Sequence, residues 1–542
     1  MSGNIADEHT QVLVVGGGLG GVAAALAAAR SGATVVLTEE FEWIGGQSTS
    51  QGVPLDEHPW IEDFGCTRSY RRYRDGIRDY YRRAYPLTDE AAARSDLNPG
   101  AGWVSKLCHE PRVAVAVLEE MLAPYRSSGQ LRLFTGYRPV AADAVDGVVA
   151  TVTLAPVGGG THLRVGADYV IDATELGDLL PLAGIDYVTG FESRAETGEP
   201  SAPEQAQPDN IQALSICFAV EHQAGADHTI PRPAQYEKWR AVQPEFWGAP
   251  LVSWTAPHPR TLEITSRHFE PNTGDDVLAV VADQSANPGD TNLWTFRRII
   301  AADMFAKGTF DSDLTLVNWP SIDYFEAPVI DVPEDVAAAR LEDARQLSLS
   351  MLYWMQTEAP RPDGGAGWPG LRLRPDVMGT EDGLAMAPYH RESRRIRALT
   401  TVTEQDVSPA ARGEDTARSY TDSVGVGMYR IDLHPSTGGD NYIDVPAAPF
   451  QIPLGALIPR GGGNLLAGAK NLGVTHITNG CYRLHPVEWN VGEAAGMLAA
   501  HCLSQGLTPA DVHTDPDAVG AFQHLLEADG FELSWPDGVY AY

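Results

Sequence analysis

Near the N-terminus the apolar pattern changes period twice. Gln11–Val15 is a short apolar, β-branched run, the signature of a buried strand. Val22–Arg30 is alanine-rich with high helix propensity. Gly32 ends that stretch and Thr34–Leu37 is a second apolar run. Gly16 to Gly21 join the first run to the helix, so the pattern predicts a β-α-β unit in about thirty residues.

Downstream the signals are more varied. Glu40–Trp60 reads as loop, and Ser69–Tyr85 as a polar, Arg/Tyr-rich helix. Asn98-Pro99-Gly100 breaks the chain. Pro111 then opens a helix with apolar positions at Val113, Val117, Leu118, Met121 and Leu122. Leu131–Phe134, Val148–Leu154 and Tyr169–Asp172 read as strands, with a turn at Gly158-Gly159-Gly160. From about Gly190 the texture changes. Glu196–Asn210 reads as loop, Ala213–Glu221 as one strand, and the region around Trp294, Phe296, Trp319, Tyr324, Phe325 and Trp354 is aromatic. Asp406–Asp415 resembles a linker, Asn464–Ala469 a strand, and Val491–Cys502 a helix of small residues. The expected class is α/β. A Rossmann-type domain, a parallel sheet with helices and a β-meander, spans 1–190 and 421–505. A mixed α+β substrate or cap domain spans 191–420, and 506–542 form a peripheral tail.

Composition narrows the function. The 542 residues are 43% hydrophobic and 20% charged, ordinary for a globular enzyme. Thirty-nine Lys+Arg stand against 72 Asp+Glu, a net charge of -33. This argues against nucleic-acid and anionic-membrane partners, which need a basic footprint. Five scattered cysteines without a C-x-x-C pair argue against a disulfide framework, a structural zinc or a redox disulfide, and fit a cytoplasmic location. There is no basic leader and no apolar run of about 20 residues. Cys108-His109-Glu110 has ligand-type residues, but adjacent ones do not converge on a metal, and no metal is expected.

The chemistry begins with Gly16-Gly17-Gly18-Leu19-Gly20-Gly21, which satisfies G-x-G-x-x-G through Gly16, Gly18 and Gly21. Gly16 permits a tight turn, Gly18 lets backbone approach a pyrophosphate, and Gly21 lets the helix lie close to the sheet. The helix N-terminus then offers unpaired N–H groups to the phosphates. Glu39 ends the second strand, placed to accept hydrogen bonds from ribose hydroxyls. The motif alone does not choose between FAD and NAD.

Further segments carry a resemblance that does. Trp43-Ile44-Gly45-Gly46-Gln47 resembles the second phosphate contact of the glutathione-reductase-like FAD superfamily. The run Val170 to Asp178, with Ala173, Thr174 and Gly177, resembles its Ala-Thr-x-x-Gly strand. Gly468 and Asn471, followed by Gly492 and Ala495, resemble its C-terminal flavin segment, in which a helix N-terminus meets the isoalloxazine. Gly45-Gly46-Gln47, Arg391-Glu392-Ser393-Arg394-Arg395 and Thr475-His476 together resemble a large family of FAD-dependent oxidoreductases, over about residues 10 to 505. The resemblance implies non-covalent FAD, since the Gly-Gly-Gln-Ser-Thr-Ser loop holds no cysteine or histidine. It does not imply a substrate.

No second strand–glycine–helix unit is present, so NAD(P)H is not expected to have its own domain. The expected reaction is oxidation of a small organic molecule by hydride transfer to flavin N5, at a hydroxyl-bearing carbon, with oxygen or another acceptor reoxidising the flavin. A monooxygenase using transient NAD(P)H, an RNA-modifying flavoprotein and a binding module with structural FAD are the alternatives. Such an oxidation benefits from a base, and histidine suits it near neutral pH. His476 is the first choice, on a loop expected between the flavin strand and the flavin helix together with Arg483 and His485. His434 is the second, with Asp432 on the same strand face to orient it. Arg391, Arg394 and Arg395 either orient a carboxylate or flavin or pair with the excess acids. Trp60 either stacks on substrate or anchors its loop.

Overall fold

The computed structural model describes residues 5–274 and 292–539. Residues 1–4, 275–291 and 540–542, parts of the three expected regions, lie outside the described residues.

The largest sheet has seven strands: β1 (Ile5–Val15), β2 (Val35–Glu39), β3 (Leu131–Thr135), β4 (Tyr137–Val145), β5 (Val148–Pro156), β6 (His162–Asp172) and β7 (Leu465–Ala467). β3, β2, β1 and β6 run parallel, while β4 and β5 form an antiparallel meander against the first half of β6. β7, from nearly three hundred residues later, lies parallel to the second half of β6. The register sets Val15 opposite Thr38 and Asp172, and Asp172 opposite Ala467. Gly16, Glu39, Ala173 and Gly468 therefore emerge together at the carboxyl ends of the strands, where open α/β sheets hold ligands.

α1 (Leu19–Arg30) is buried on all sides, which explains a sequence of alanine and glycine with almost no polar face. α2 (Arg68–Ala84) and α3 (Pro111–Ser127) follow as the pattern predicts. The middle region forms small antiparallel sheets around the 24-residue α4 (Glu334–Thr357), with an aromatic core of its own. The run Ala213–Glu221 is two strands, not one. Leu214–Ser215 pairs with 323–324 and 389–390, and Phe218–His222 belongs to a different sheet.

Three expectations need correction. Asp406–Asp415 is not a linker, because Glu404–Val407 and Pro409–Arg412 are short helices with Val407 and Ser408 buried. The expected loop after β7 contains α5 (His476–Tyr482), and the next helix, α6, runs His485–Gln505 instead of beginning at Val491. The C-terminal stretch is no loose tail. α7 (Pro516–Asp529) buries Phe522 and Leu526, and Trp535 packs on His58, Trp60 and Phe64.

Candidate functional site

At the strand edge three glycines face backbone and one faces space. A Cβ on Gly16 (φ +97°) would stand 2.2 Å from the Ala173 carbonyl oxygen, and one on Gly21 1.9 Å from that of Gly16. Gly20 is equally confined, 2.1 Å from the Gly468 oxygen. A Cβ on Gly18 would meet only the ends of the Glu175 and Glu488 side chains, at 3.0 and 3.4 Å. Gly45 and Gly46 both have positive φ, +104° and +49°, a conformation that glycine adopts without strain, and the Gly45 N–H donates to the Gly17 carbonyl at 2.7 Å. Glu39 accepts from the N–H groups of Gly17 (2.6 Å) and Phe41 (3.0 Å). Burial pushes its carboxyl up to about 8. A cavity of 190 Å³ opens here, bordered by Gly16, Gly18, Glu39, Thr174, Glu175 and His390.

Polar atoms in this cradle are left over. Gln47 Oε1 and both amide atoms of Gln51 are buried without a partner, and the Gln51 nitrogen lies beside Gly46. The Glu488 carboxylate accepts from the Gly20 N–H at 3.3 Å and from the Gln47 amide. Lys470, buried beside it, pairs with Glu175. Burial alone would lower the Lys470 ammonium, but Glu175 and Glu488 outweigh it and raise its pKa.

Other residues picked from the sequence are distributed unevenly around this point. Leu19 opens α1 in the core. Ala173 bonds back to Val15, and Thr174 is tied to Asp172 through its N–H (3.0 Å) and hydroxyl (2.7 Å). Gly177 lies against the Arg394 carbonyl, and the Asn471 amide donates to the Asp172 carbonyl at 3.0 Å. Gly492 and Ala495 lie beyond the first turn of α6. Because α6 starts at His485, its first turn meets Gly20 and Gln47, while Gly492 sits in the α1–α6 seam, where a Cβ would stand 1.9 Å from the Gly20 oxygen.

A line of polar contacts leads from the cradle into the middle region. The Gln47 amide donates to the Arg483 carbonyl at 2.9 Å. The Arg483 guanidinium donates to the Tyr389 hydroxyl (2.5 Å) and to Asp432 through its carbonyl (3.0 Å) and carboxylate (3.2 Å). Two residues on, His434 lines a cavity of 290 Å³ together with Asp56, Trp254, Arg297, Trp319 and Tyr442. Its Nδ1 lies 2.5 Å from Asp323 Oδ2, and Asp323 is itself fixed by the Ser215 hydroxyl (2.6 Å) and Arg391 (3.0 Å). Burial would raise the Asp323 carboxyl, but Arg391 and His434 outweigh it and hold it below its ordinary value. With Nδ1 donating to a carboxylate, the lone pair is on Nε2. The Asp432 carboxylate stands 3.7 Å from Nε2, beyond hydrogen-bonding reach. Burial, and then the charge of Arg391, lower the His434 pKa, against the raising effect of Asp323 and Asp432.

The orienting carboxylate is thus Asp323, not Asp432. Nothing in the sequence marked it beyond an aromatic neighbourhood, since its partner lies 111 positions away. The other histidines are placed differently. His476 opens α5, stacks on Phe191 with ring centroids 3.6 Å apart, and bonds Glu392 at 3.0 Å. His485 accepts from the Asp56 N–H at 3.0 Å, and burial lowers its pKa to about 3. Arg391, Arg394 and Arg395 are all ion-paired, with Asp323, with Asp178 and Asp331, and with Glu192 and Glu392. Trp60 packs among aromatic rings of its loop and Trp535. Among the described residues no group of three or more His, Cys, Asp or Glu can hold a metal, and no helix is long and apolar enough to cross a membrane.

Comparison with known proteins decides the family, because residues 11–526 match the model of the FAD dependent oxidoreductases. The chain belongs to that family. It is an FAD-dependent oxidoreductase, an enzyme of α/β class. No curated protein matches it. Solved structures with local similarity include L-proline dehydrogenase from P. horikoshii (15% identity, 35% of this chain and 26% of that one, TM-score 0.19). The p-nitrophenol 4-monooxygenase PnpA from Pseudomonas putida DLL-E4 matches at 17% identity over 39% of this chain and 48% of its own, with a TM-score of 0.24. The myxobacterial chondrochloren halogenase CndH matches at 15% identity, 41% and 45%, with a TM-score of 0.23. The chain spans less than half of each of these proteins, and at these scores they carry no argument about its reaction.

The residues present fit the cofactor of this family. A glycine-lined strand edge, an acidic residue at the end of β2, and Gln47 and Gln51 atoms unpartnered among the described residues offer what a dinucleotide with a pyrophosphate requires.

Proposed function

We propose that this oxidoreductase oxidises a small organic molecule at a hydroxyl-bearing carbon, in the cavity around His434. The observation that carries the reading is the Asp323–His434 pair, with Nδ1 held at 2.5 Å by a buried carboxylate and the histidine itself lining the cavity. FAD, when bound, supplies a two-electron acceptor for the hydrogen of that carbon.

The protein's own part is proton handling and orientation. Nε2 of His434 accepts the hydroxyl proton as the C–H bond is oxidised. Asp323 stabilises the cationic ring that results and fixes its tautomer. Arg483 ties Asp432 to the cradle side through the Gln47 contact, and so couples cofactor seating to the geometry of the cavity. Gly16, Gly18, Glu39 and the Gly45–Gln47 loop are proposed to hold the dinucleotide non-covalently, and oxygen or another acceptor to complete the cycle. In this reading His476 is a positioning group within the buried Glu192–Arg395–Glu392 network.

The test is anaerobic bleaching of the flavin by a panel of alcohols and hydroxy acids, followed by stopped flow. His434→Asn is expected to keep its FAD and to reduce about 10² to 10⁴ times more slowly. Wild-type reduction in that variant would remove His434 as the base.

A further inference from the structure

The cavity around His434 contains an arginine with two guanidinium nitrogens that find no hydrogen-bond partner among the described residues. These are Nε and Nη1 of Arg297, both buried. Its guanidinium lies over the Phe296 ring, 5.1 Å from the centroid. Asp56 feels its charge but makes no hydrogen bond with it. The other arginines of the region are spoken for. Arg430 and Arg260 face Asp444, Arg483 holds Asp432, and Arg391 holds Asp323. In a chain with a net charge of -33, where acids outnumber bases by nearly two to one, a guanidinium left without a carboxylate is a costly feature. Two neighbouring wall residues add to the surplus of donors. Trp319 Nε1 and the Tyr442 hydroxyl are also buried without partners.

We infer that Arg297 anchors an anionic group of the substrate, a carboxylate, so that the molecule oxidised beside His434 is a hydroxy acid. The inference rests on the cavity being the substrate site. A guanidinium fork matches a carboxylate with two parallel N–H···O bonds, and the buried setting strengthens them. Trp254, Trp319 and Phe296 give the cavity apolar walls, so the carboxylate is carried on an apolar or aromatic body. Acetate, lacking that body, should bind more weakly than 3-phenylpropanoate.

Calorimetry on the holoenzyme tests this without turnover. The probes are 3-phenylpropanoate, acetate and 3-phenylpropanamide, which is isosteric with the first but uncharged. Wild type should bind the acid about 10- to 100-fold more tightly than the amide. Arg297→Gln should abolish that preference, and Arg297→Lys should restore part of it. His434→Asn should bind the acid as wild type does, even though its flavin is reduced slowly. Equal binding of acid and amide by wild type, no binding of either, or an unchanged preference in Arg297→Gln would each overturn the anchor. The acid–amide comparison needs no variant, so it decides even if Arg297→Gln fails to fold. Wild-type reduction in His434→Asn, with the preference for acid intact, would instead remove the base and leave the anchor standing.

Discussion

Around Gly20, α1 and α6 lie so close that a methyl group at Gly492 would stand 1.9 Å from a carbonyl oxygen. Around His434, charged side chains from distant segments leave a cavity of 290 Å³. The first region is made by removing side chains. Gly20, Gly21, Gly492 and Gly496 each give up a Cβ so that backbones can touch. The second is made by pairing charges, Asp323 with Arg391 and His434, Asp432 with Arg483, and by leaving Arg297 unpaired. The seam has no freedom to vary without moving backbone. The cavity can change its chemistry one side chain at a time while the fold stays put. In the proposed function, the first region holds the cofactor and the second selects the substrate.

The strongest way to break the comparison is at the seam. Gly492→Val should leave little folded protein, because the clash is with backbone. Gly492→Ala should cost about 1–3 kcal/mol or more as an overpacked contact. Gly18→Val should instead fold and lose FAD, since its side chain meets only the ends of the Glu175 and Glu488 side chains in the space proposed for the pyrophosphate. Melting curves and flavin content separate the two. A stable Gly492→Val, or a Gly18→Val that retains its flavin, would show that seam and cradle are not distinct.

At the cavity the prediction concerns rate and pH. Asp323→Asn should slow reduction about 10² to 10⁴-fold with FAD content unchanged. The wild-type reduction rate should fall as the pH drops through the His434 pKa, because the protonated ring is no base. Burial and Arg391 put that pKa below 6.5, so the rate should already be on its plateau at pH 7. Asp323 raises the pKa, so its removal should move the acid limb to still lower pH. A profile flat down to the pH of acid unfolding would break the assignment.

His476→Asn sharpens the contrast between two histidines that each bond a carboxylate. His476 faces Phe191 and Glu392, in a network where His476 and Arg395 overcome burial and hold the Glu392 carboxyl down at about 2. Its loss should cost about 1–3 kcal/mol of stability, the penalty of leaving a buried partner unsatisfied, and change reduction by less than about tenfold. Loss of reduction with an unaltered melting temperature would restore His476 as the base.

The seam and the cavity also differ in how far they could be read from the chain. The β-α-β unit was legible because its glycines, its apolar runs and Glu39 are local in sequence and each has a conformational reason to be there. Gly492 was harder to read, because a glycine in a helix serves backbone packing and cofactor approach equally well, and its packing on the Gly20 carbonyl is visible only once α6 is seen to start at His485. His434 was visible as a candidate. Asp323 and Arg297 were not, since a single acid or arginine in an aromatic stretch has no periodicity, and Asp323 reaches His434 only when Leu214–Ser215 and residues 323–324 pair.

The smallest effect is expected from the C-terminal segment. Trp535 packs at ring-centroid distances of 5.1, 6.1 and 5.9 Å from His58, Trp60 and Phe64, and its indole N–H donates to the Phe450 carbonyl at 2.9 Å. The same loop carries Asp56 and Glu57 into the cavity wall, and the Asp56 N–H is bonded to His485 at the start of α6. Trp535 therefore braces the cavity from behind. It touches neither His434 nor Arg297. Trp535→Ala removes three aromatic pairs worth about 1.5–4.5 kcal/mol in all, at about 0.5–1.5 kcal/mol each. Because the loop is also held by Glu57 to Arg74 and by His485, only part of that loss reaches the cavity. Binding of 3-phenylpropanoate should weaken by less than about tenfold, as expected when about 1 kcal/mol is passed on. The reduction rate at saturation should not change, and proteolysis between residues 58 and 64 should accelerate. A large fall in the saturated rate would mean that the segment shapes the reacting geometry itself, and that the seam side and the cavity side are coupled through it.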